Sequence, residues 1–145
     1  MMTAGGVIGG IFSWAFGDVG PLLVWLVVFA VADFFVGTYA ALRNGLWSSR
    51  ENYVGVAKKM AMFLLVALAH GLDQIFEPLI KFQIFQSITI CAYAAGEFGS
   101  IIENLESAGL GGAVPPVLRN LIHSLNEHIE KHAETKIPGK PKEKQ

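Results

Sequence analysis

Positive charge is missing from the first 42 residues of the chain, which contain neither lysine nor arginine. A secretory signal peptide opens with a basic region, so we expect no cleaved leader and expect the first apolar segments to be retained. The last eleven residues, 135–145, hold four lysines. Because this basic charge is not combined with aromatic stacking residues, the pattern is typical of membrane orientation, and no nucleic-acid partner is expected.

Cysteine and enzyme motifs are also scarce. Cys91 is the single cysteine, so no disulfide can form within the chain. The sequence contains no glycine-rich phosphate loop, no zinc-type cysteine pairs and no nucleophile elbow. His128 and His132 are four residues apart, but their neighbours Glu127 and Glu130 favour a solvated helix face over a metal site. We expect no catalytic residue, cofactor or metal.

The charged fraction is low, at 16%, and the mean hydropathy is +0.46. A soluble domain of this size carries roughly a quarter charged residues. These values predict an all-α integral membrane protein, with three segments crossing the bilayer at residues 21–42, 60–76 and 82–102. The second segment is short, and we expect it to begin near residue 54, with Lys58 and Lys59 reaching the headgroups. The third segment is the most polar and needs partner helices to insert.

The remaining segments divide the chain into three parts. Residues 1–20 are rich in glycine and predict an interfacial helix that is too short to cross the bilayer. Residues 21–107 form the three-span transmembrane domain. Residues 108–145 contain a Gly/Pro turn, a cytoplasmic amphipathic helix predicted at 117–134, and a basic tail.

The basic residues predict the orientation of the spans. Ten of the eleven lie either between the first two spans or after the third, and only Lys81 lies between the second and third. Because cytoplasmic segments are enriched in Lys and Arg, this distribution places the N-terminus outside and the C-terminus in the cytoplasm.

Ionisable side chains are costly inside a bilayer, yet every predicted span contains at least one. Polar and small residues in the first and third spans recur at steps of three and four, so they share one helix face, which indicates a partner helix or an aqueous lumen. Protonated carboxylates bonded within a single bundle are the alternative. The predicted pore or oligomer-interface residues are Asp33, Gly37, His70, Asp73, Gln86, Tyr93, Glu97, Ser100 and Asn104.

Five short motifs, in this order and spacing, resemble a phage holin family that includes the clostridial toxin-secretion holins. They are D-x-x-x-G at 33–37, L-x-S-S at 46–49, G-x-x-K-K at 55–59, A-x-x-x-D at 69–73 and E-x-x-S-I-x-E-N at 97–104. The family has Asn before this last motif, where this chain has Gly96. Gly109 followed by Pro115 and Pro116 also fits, and the resemblance covers residues 20 to 130.

The resemblance implies a protein of the bacterial host's cytoplasmic membrane that self-associates and permeabilises the membrane. An endolysin or a toxin then leaves the cell as a passenger, without required direct contact. We expect Asp33, Asp73 and Glu97 to be shielded, mutually bonded or protonated in small assemblies and hydrated in the lumen of large ones.

Two alternatives remain open from the residues alone. A small ion or solute channel, or an accessory subunit of a larger membrane complex, would use the same buried carboxylates. An intramembrane enzyme would need Asp33 and Asp73 as a catalytic pair, which no surrounding motif supports.

Overall fold

The structure is a computed structural model that describes residues 4–81, 84–122, 124 and 127. Every regular element in these residues is helical. The elements are α1 (Ala4–Phe16), α2 (Pro21–Arg43), α3 (Ser49–Ile80), α4 (Phe85–Ser107) and a 3-10 turn (Gly111–Ala113). Residues 116–122 are again helical. The predicted all-α class is thus confirmed.

Local sequence explains where the helices begin and end. Pro21 opens α2 directly after Gly20, a position where its fixed φ is favourable and its missing N–H is not needed. Gly17, with φ 71°, ends α1 in the left-handed region that glycine adopts without steric cost. Lys81, with φ 51°, ends α3 in the same region, and its N–H is accepted by the carbonyl of Glu77.

Two helices are long and apolar enough to cross a membrane, namely α2 and residues Ser49–Leu79 of α3. They correspond to the first two predicted spans, although α3 begins earlier and ends later than predicted. With 32 residues it is about 48 Å long, more than the hydrocarbon core of about 30 Å. The third predicted span corresponds to α4, which has 23 residues but does not meet the same criterion of apolarity. Its start is described from Phe85, because residues 82–83 lie outside the described residues.

Contacts between side chains give the direction of each helix. Asp33 pairs with Asn104, and Asn44 donates hydrogen bonds to Ser107, so α2 and α4 run parallel. Asp73 contacts Phe85 while Lys59 contacts Glu97, so α3 runs antiparallel to α4. This is the alternation that three successive membrane crossings would require.

A small apolar core holds the bundle together. Its buried members come from all three long helices and are Leu23, Leu26, Ala30, Met62, Val66 and Ile90. Many large apolar side chains face outward instead, among them Phe35, which is 67% exposed, and Leu79, which is 76% exposed. An apolar exterior around a small core is the arrangement expected of helices that contact lipid.

The turn after α4 returns the chain onto the bundle. The Arg43 guanidinium donates to the carbonyl of Ala108, and Arg119 Nη2 donates to the carbonyl of Gly111 at 2.8 Å. Arg119 also forms an ion pair with Glu106. Ile122 lies beside Gly99, where a Cβ on the glycine would be 3.7 Å from its Cγ2 atom. Residues 116–122 therefore run antiparallel to α4 and pack against it.

The predicted helix at 117–134 is described in part, since it begins at residue 116 but residues 123, 125–126 and 128–145 lie outside the described residues. Its predicted cytoplasmic position stays a prediction. The contact between Ile122 and Gly99 shows that the first two turns of this helix pack against the bundle.

We predict that a disulfide traps this returning segment. In a Cys91→Ser background, Gly99→Cys with Ile122→Cys should crosslink within one chain on oxidation, because the Cβ position of Gly99 lies 3.7 Å from Ile122 Cγ2, an atom one bond from the Ile122 β-carbon, and a disulfide joins side chains that are this close. The matched control pairs Ile122→Cys with Gly96→Cys, since Gly96 has no heavy atom within 4 Å of its Cβ position. Mass spectrometry of digested protein reports each bond. Equal trapping of both pairs, or bonds only between chains, would contradict the packing.

Candidate functional site

A cluster of three charged side chains joins the three long helices. Lys59 of α3 donates from Nζ to Asp33 Oδ2 of α2 at 2.9 Å, and also to Glu97 Oε2 of α4. The side chains of Lys59, Asp33 and Glu97 are 18%, 15% and 14% exposed, respectively. One ammonium thus bridges two carboxylates from different helices, and we call these residues the charged cluster.

Asn104 completes the contacts of Asp33. Its Nδ2 donates to Asp33 Oδ1 at 3.0 Å, so both carboxylate oxygens of Asp33 accept a hydrogen bond. Gly37, one turn after Asp33, gives this amide its space, because a Cβ there would lie 3.1 Å from Asn104 Nδ2. The small residue at position 37 therefore allows α4 to approach α2 closely.

The charged cluster lies near the middle of both α2 and α4. Asp33 is twelve positions after Pro21 and ten before Arg43. Glu97 has the same offsets from Phe85 and Ser107. At 1.5 Å per residue, the cluster is about 15 to 18 Å from either end of these helices. In a bilayer crossed by α2, this height is close to the midplane, where charge is most expensive.

The cluster has a formal charge of −1, since it combines one lysine with two acidic side chains. Burying a charge is tolerated when it is paired and hydrogen-bonded, and Lys59 provides this for both carboxylates. An apolar groove of about 310 Å³ lies over Lys59 between α2 and α3, lined among others by Val31, Phe35 and Met60. The charges are thus held inside an apolar shell by contacts within one chain.

A second polar group lies nearer the ends of the helices. Asp73 is fully buried and accepts hydrogen bonds from the backbone N–H groups of Phe85 at 2.9 Å and Gln86 at 2.8 Å. These are N–H groups of the first turn of α4, which have no partner within the helix, so Asp73 caps α4 from α3. Gln86 Nε2 in turn donates to the carbonyl of Phe16 at 2.8 Å and connects α4 to the end of α1.

His70 belongs to this second group. It is 7% exposed and packs against Gly17, where a Cβ would lie 2.6 Å from the imidazole Cε1. Its Nε2 lies 3.5 Å from Gln74 Nε2, and its Nδ1 has no partner in the described part of the chain. The imidazole is therefore held by packing more than by hydrogen bonds.

The predicted site residues thus separate into two groups. Asp33, Gly37, Glu97 and Asn104 meet in or beside the charged cluster, as their shared helix faces suggest. His70 and Asp73 lie about 16 to 21 Å farther along α3 than Lys59, and Gln86 of α4 contacts Asp73 there. Tyr93 packs against the apolar core, and Ser100 is half-buried on α4. The roles of these residues in a pore or an oligomer remain predictions.

Lys59 is the residue that the sequence analysis missed, and its predicted position at the headgroups is wrong. Lys58 is exposed, whereas Lys59 points between the helices to Asp33 and Glu97. The sequence did contain a signal for this role, namely an imbalance of charge. Asp33 and Glu97 are acidic residues in the middle of their helices, and the neighbouring α3 contains Lys58 and Lys59, either of which could balance them. Only the register of α3 decides which of the two lysines provides it.

Comparison with known proteins identifies relatives across most of the chain. The model of the bacteriophage holin family matches residues 10–127. An uncharacterized protein of Listeria monocytogenes is 41% identical over 114 residues, which cover 79% of this chain and 78% of the relative. A probable holin of Bacillus phage phi105 is 29% identical over 122 residues, covering 84% and 86%, respectively. No solved structure matches the chain.

We predict that Lys59→Met destabilises the bundle, because it leaves Asp33 and Glu97 facing each other without a counter-ion. Removing one partner of a buried pair costs about 3 to 5 kcal/mol. The folded protein should therefore accumulate less in membranes and lose its helical signal at a lower temperature in detergent. Lys58→Met is the matched control, since its side chain is exposed and it removes the same charge.

The triple variant Asp33→Asn, Lys59→Met, Glu97→Gln should recover stability, because no uncompensated charge remains. A Lys59→Met protein as stable as the Lys58→Met protein would show that the charged cluster does not hold the helices together.

Proposed function

Because the chain belongs to the bacteriophage holin family, we propose that it assembles with further copies in the bacterial cytoplasmic membrane and opens that membrane to proteins. The family is one of non-enzymatic membrane proteins that form homo-oligomers. The two apolar helices agree with a position in the cytoplasmic membrane. The opening of a lesion and the release of an endolysin or a toxin through it are the parts that we propose.

The charged cluster carries this proposal. A charged residue at the centre of a spanning helix costs about 2.5 to 3.5 kcal/mol on the insertion scale, and the cluster contains three. A chain that only needed to reside in the membrane would be more stable with apolar residues of similar volume at these positions. Charges at this depth become favourable when they face water, and an oligomer that encloses an aqueous lumen supplies that water.

The mechanism follows from the pairing of Lys59. In the single chain, Lys59 holds both carboxylates and the three helices close around them. In a large assembly, the helices turn the charged cluster toward a shared lumen, where water replaces the intrachain contacts. Hydration then compensates for the broken ion pairs, so the closed and open arrangements can be close in free energy.

We further propose that α4 is the third membrane span. Its 23 residues reach about 34 Å, enough for the hydrocarbon core. Its polar side chains Glu97 and Asn104 are directed at α3 and α2, and its first turn is capped by Asp73. Polarity that is satisfied inside the bundle need not meet lipid, which explains how a helix of low apolarity can insert beside partners.

A small ion channel is the competing function, because a net negative cluster at mid-membrane could also attract cations. The size of the solute that passes the membrane separates the two. Release of a folded cytoplasmic enzyme supports a holin lesion, whereas loss of membrane potential without protein release supports a channel.

Topology provides the first test. Reporters fused after Gln145 or inserted near Ser49 should read as cytoplasmic, and a reporter near Lys81 should read as external. The reason is that ten of the eleven basic residues lie in the segments that contain Ser49 and Gln145, and cytoplasmic segments are enriched in Lys and Arg. Alkaline phosphatase and green fluorescent protein fusions measure the two sides independently. If the fusion after Gln145 read as external, the three-span arrangement would be wrong.

Glu97 provides the functional test. Glu97→Leu leaves Lys59 and Asp33 as a neutral pair. It should make the free energy of membrane insertion more favourable by roughly 3 kcal/mol, so the protein should accumulate in the membrane. It should nevertheless fail to lyse the cell, because the lumen loses one of its hydrated groups. Glu97→Gln keeps the volume and hydrogen bonding without the charge, and should form oligomers but open late.

Membrane protein level by blot and release of a cytoplasmic enzyme are measured together after induction. Glu51→Gln is the control, since it removes a carboxylate that is exposed in the first turn of α3. A Glu97→Leu protein that accumulates and releases the enzyme on the normal schedule would refute the role of the charged cluster in the lesion.

A further inference from the structure

Two adjoining cavities lie where α1 meets α3, away from the charged cluster. The first has a volume of about 660 Å³ and an almost wholly apolar lining that includes Trp14, Leu64, Leu68 and Ile75. The second has a volume of about 570 Å³ and a mainly polar lining. Trp14, His70 and Gln74 line both cavities, so the two are neighbours across these side chains, and we call them the apolar part and the polar part of one site.

The apolar part has the dimensions of one lipid tail region. It follows α3 from Leu64 to Ile75, eleven residue steps, or about 16 Å along the helix. Half of a hydrocarbon core of about 30 Å is nearly the same length. Gly71 lines this part and has no heavy atom within 4 Å of its Cβ position, so a groove runs open along the helix there.

The polar part is rich in hydrogen-bond acceptors. It is lined by the carboxylate of Asp18, the hydroxyl of Ser13 and the amides of Gln74 and Gln86. The Gln86 NH₂ is already engaged with the carbonyl of Phe16, which leaves its oxygen free to accept. Among the described residues that line this part, none is a lysine or an arginine. The lining therefore favours a cation that donates hydrogen bonds and disfavours an anion.

His70 lines the polar part and has a ring nitrogen without a hydrogen-bond partner in the described residues. The imidazole is 7% exposed and its Nδ1 has no hydrogen-bond partner in the part of the chain that the structure describes. A buried polar atom without a partner is costly, and most such atoms in native proteins are satisfied by a group of the protein, water or a ligand. This ring lies at the junction of the two cavities, where a ligand would connect them.

We propose that this space binds phosphatidylethanolamine, with one acyl chain in the apolar part and the ammonium headgroup beside Asp18. The ammonium supplies both the positive charge and the N–H donors that the acceptors require. All three phospholipids carry an anionic phosphodiester. Phosphatidylcholine balances it with a cation that has no N–H donors, whereas phosphatidylglycerol has no cation and brings uncompensated negative charge to Asp18. The site would couple α1, which contacts α3 here, to the lipid composition of one leaflet.

Fluorescence of Trp14 tests the proposal, since this ring lines both cavities. The full chain with Trp25→Phe and Trp47→Phe is reconstituted in phosphatidylcholine vesicles that contain either brominated phosphatidylethanolamine or brominated phosphatidylglycerol. Bromine on an acyl chain quenches a tryptophan that it contacts. Quenching should be half-complete at a lower mole fraction of phosphatidylethanolamine than of phosphatidylglycerol, by up to about fivefold, the effect of one exposed ion pair.

Two variants locate the site. Gly71→Leu fills the groove and should abolish the difference between the two lipids, whereas Gly55→Leu on the same helix, also with open space at its Cβ position, should retain it. Asp18→Asn should remove the preference for phosphatidylethanolamine while quenching persists. Equal quenching of Trp14 by both lipids, or a preference that survives Gly71→Leu, would overturn the proposal. These measurements do not involve membrane opening, so their outcome is independent of the proposed function.

Discussion

The bundle depends on one ammonium group placed between two carboxylates. Lys59 brings α2 and α4 together through Asp33 and Glu97, and the apolar core beside it is small. In a low-dielectric environment such a bridge is strong, and loss of Lys59 leaves two carboxylates whose charges nothing else in the cluster compensates. The pairing also selects one register of α3 against the other helices, because moving Lys59 by one position turns it away from both partners.

The charged cluster makes α4 the helix most dependent on the rest of the protein. α2 faces it through Asp33, α3 through Lys59 and Asp73, and residues 116–122 through the contact of Ile122 with Gly99. Glu97 and Asn104 of α4 thus find their partners on neighbouring helices and not within α4 itself. A helix of this kind can exchange intrachain partners for partners in other copies, or for water, at small net cost. That property suits a protein of the bacteriophage holin family, whose members act as assemblies in a membrane.

The two polar groups have different physical roles although the sequence presents them alike. Asp73 caps the first turn of α4 with two backbone hydrogen bonds and is completely buried, which is a structural task. The charged cluster is partly exposed and combines one lysine with two acidic side chains at the middle of α2 and α4. Within the second group His70 differs from Asp73, because its Nδ1 has no partner in the residues that the structure describes and its ring borders two cavities. Carboxylates that look alike in the sequence therefore have different surroundings, because Asp73 binds the end of a helix whereas Asp33 and Glu97 share one ammonium group.

The sequence by itself determined the all-helical membrane class, the two apolar spans and the family. It also determined that Asp33, Gly37, Glu97 and Asn104 share faces, since these features depend on local composition and on the 3.6-residue period. Only the tertiary structure decided that Lys59 and not Lys58 completes the charged cluster, that Asp73 caps α4, and that residues 116–122 return onto Gly99. Each of these depends on the register and direction of helices that are distant in sequence, as in the 38 positions between Lys59 and Glu97. Hydropathy and periodicity describe one helix at a time. The position of a bridging charge depends instead on how three helices are shifted along their axes relative to one another.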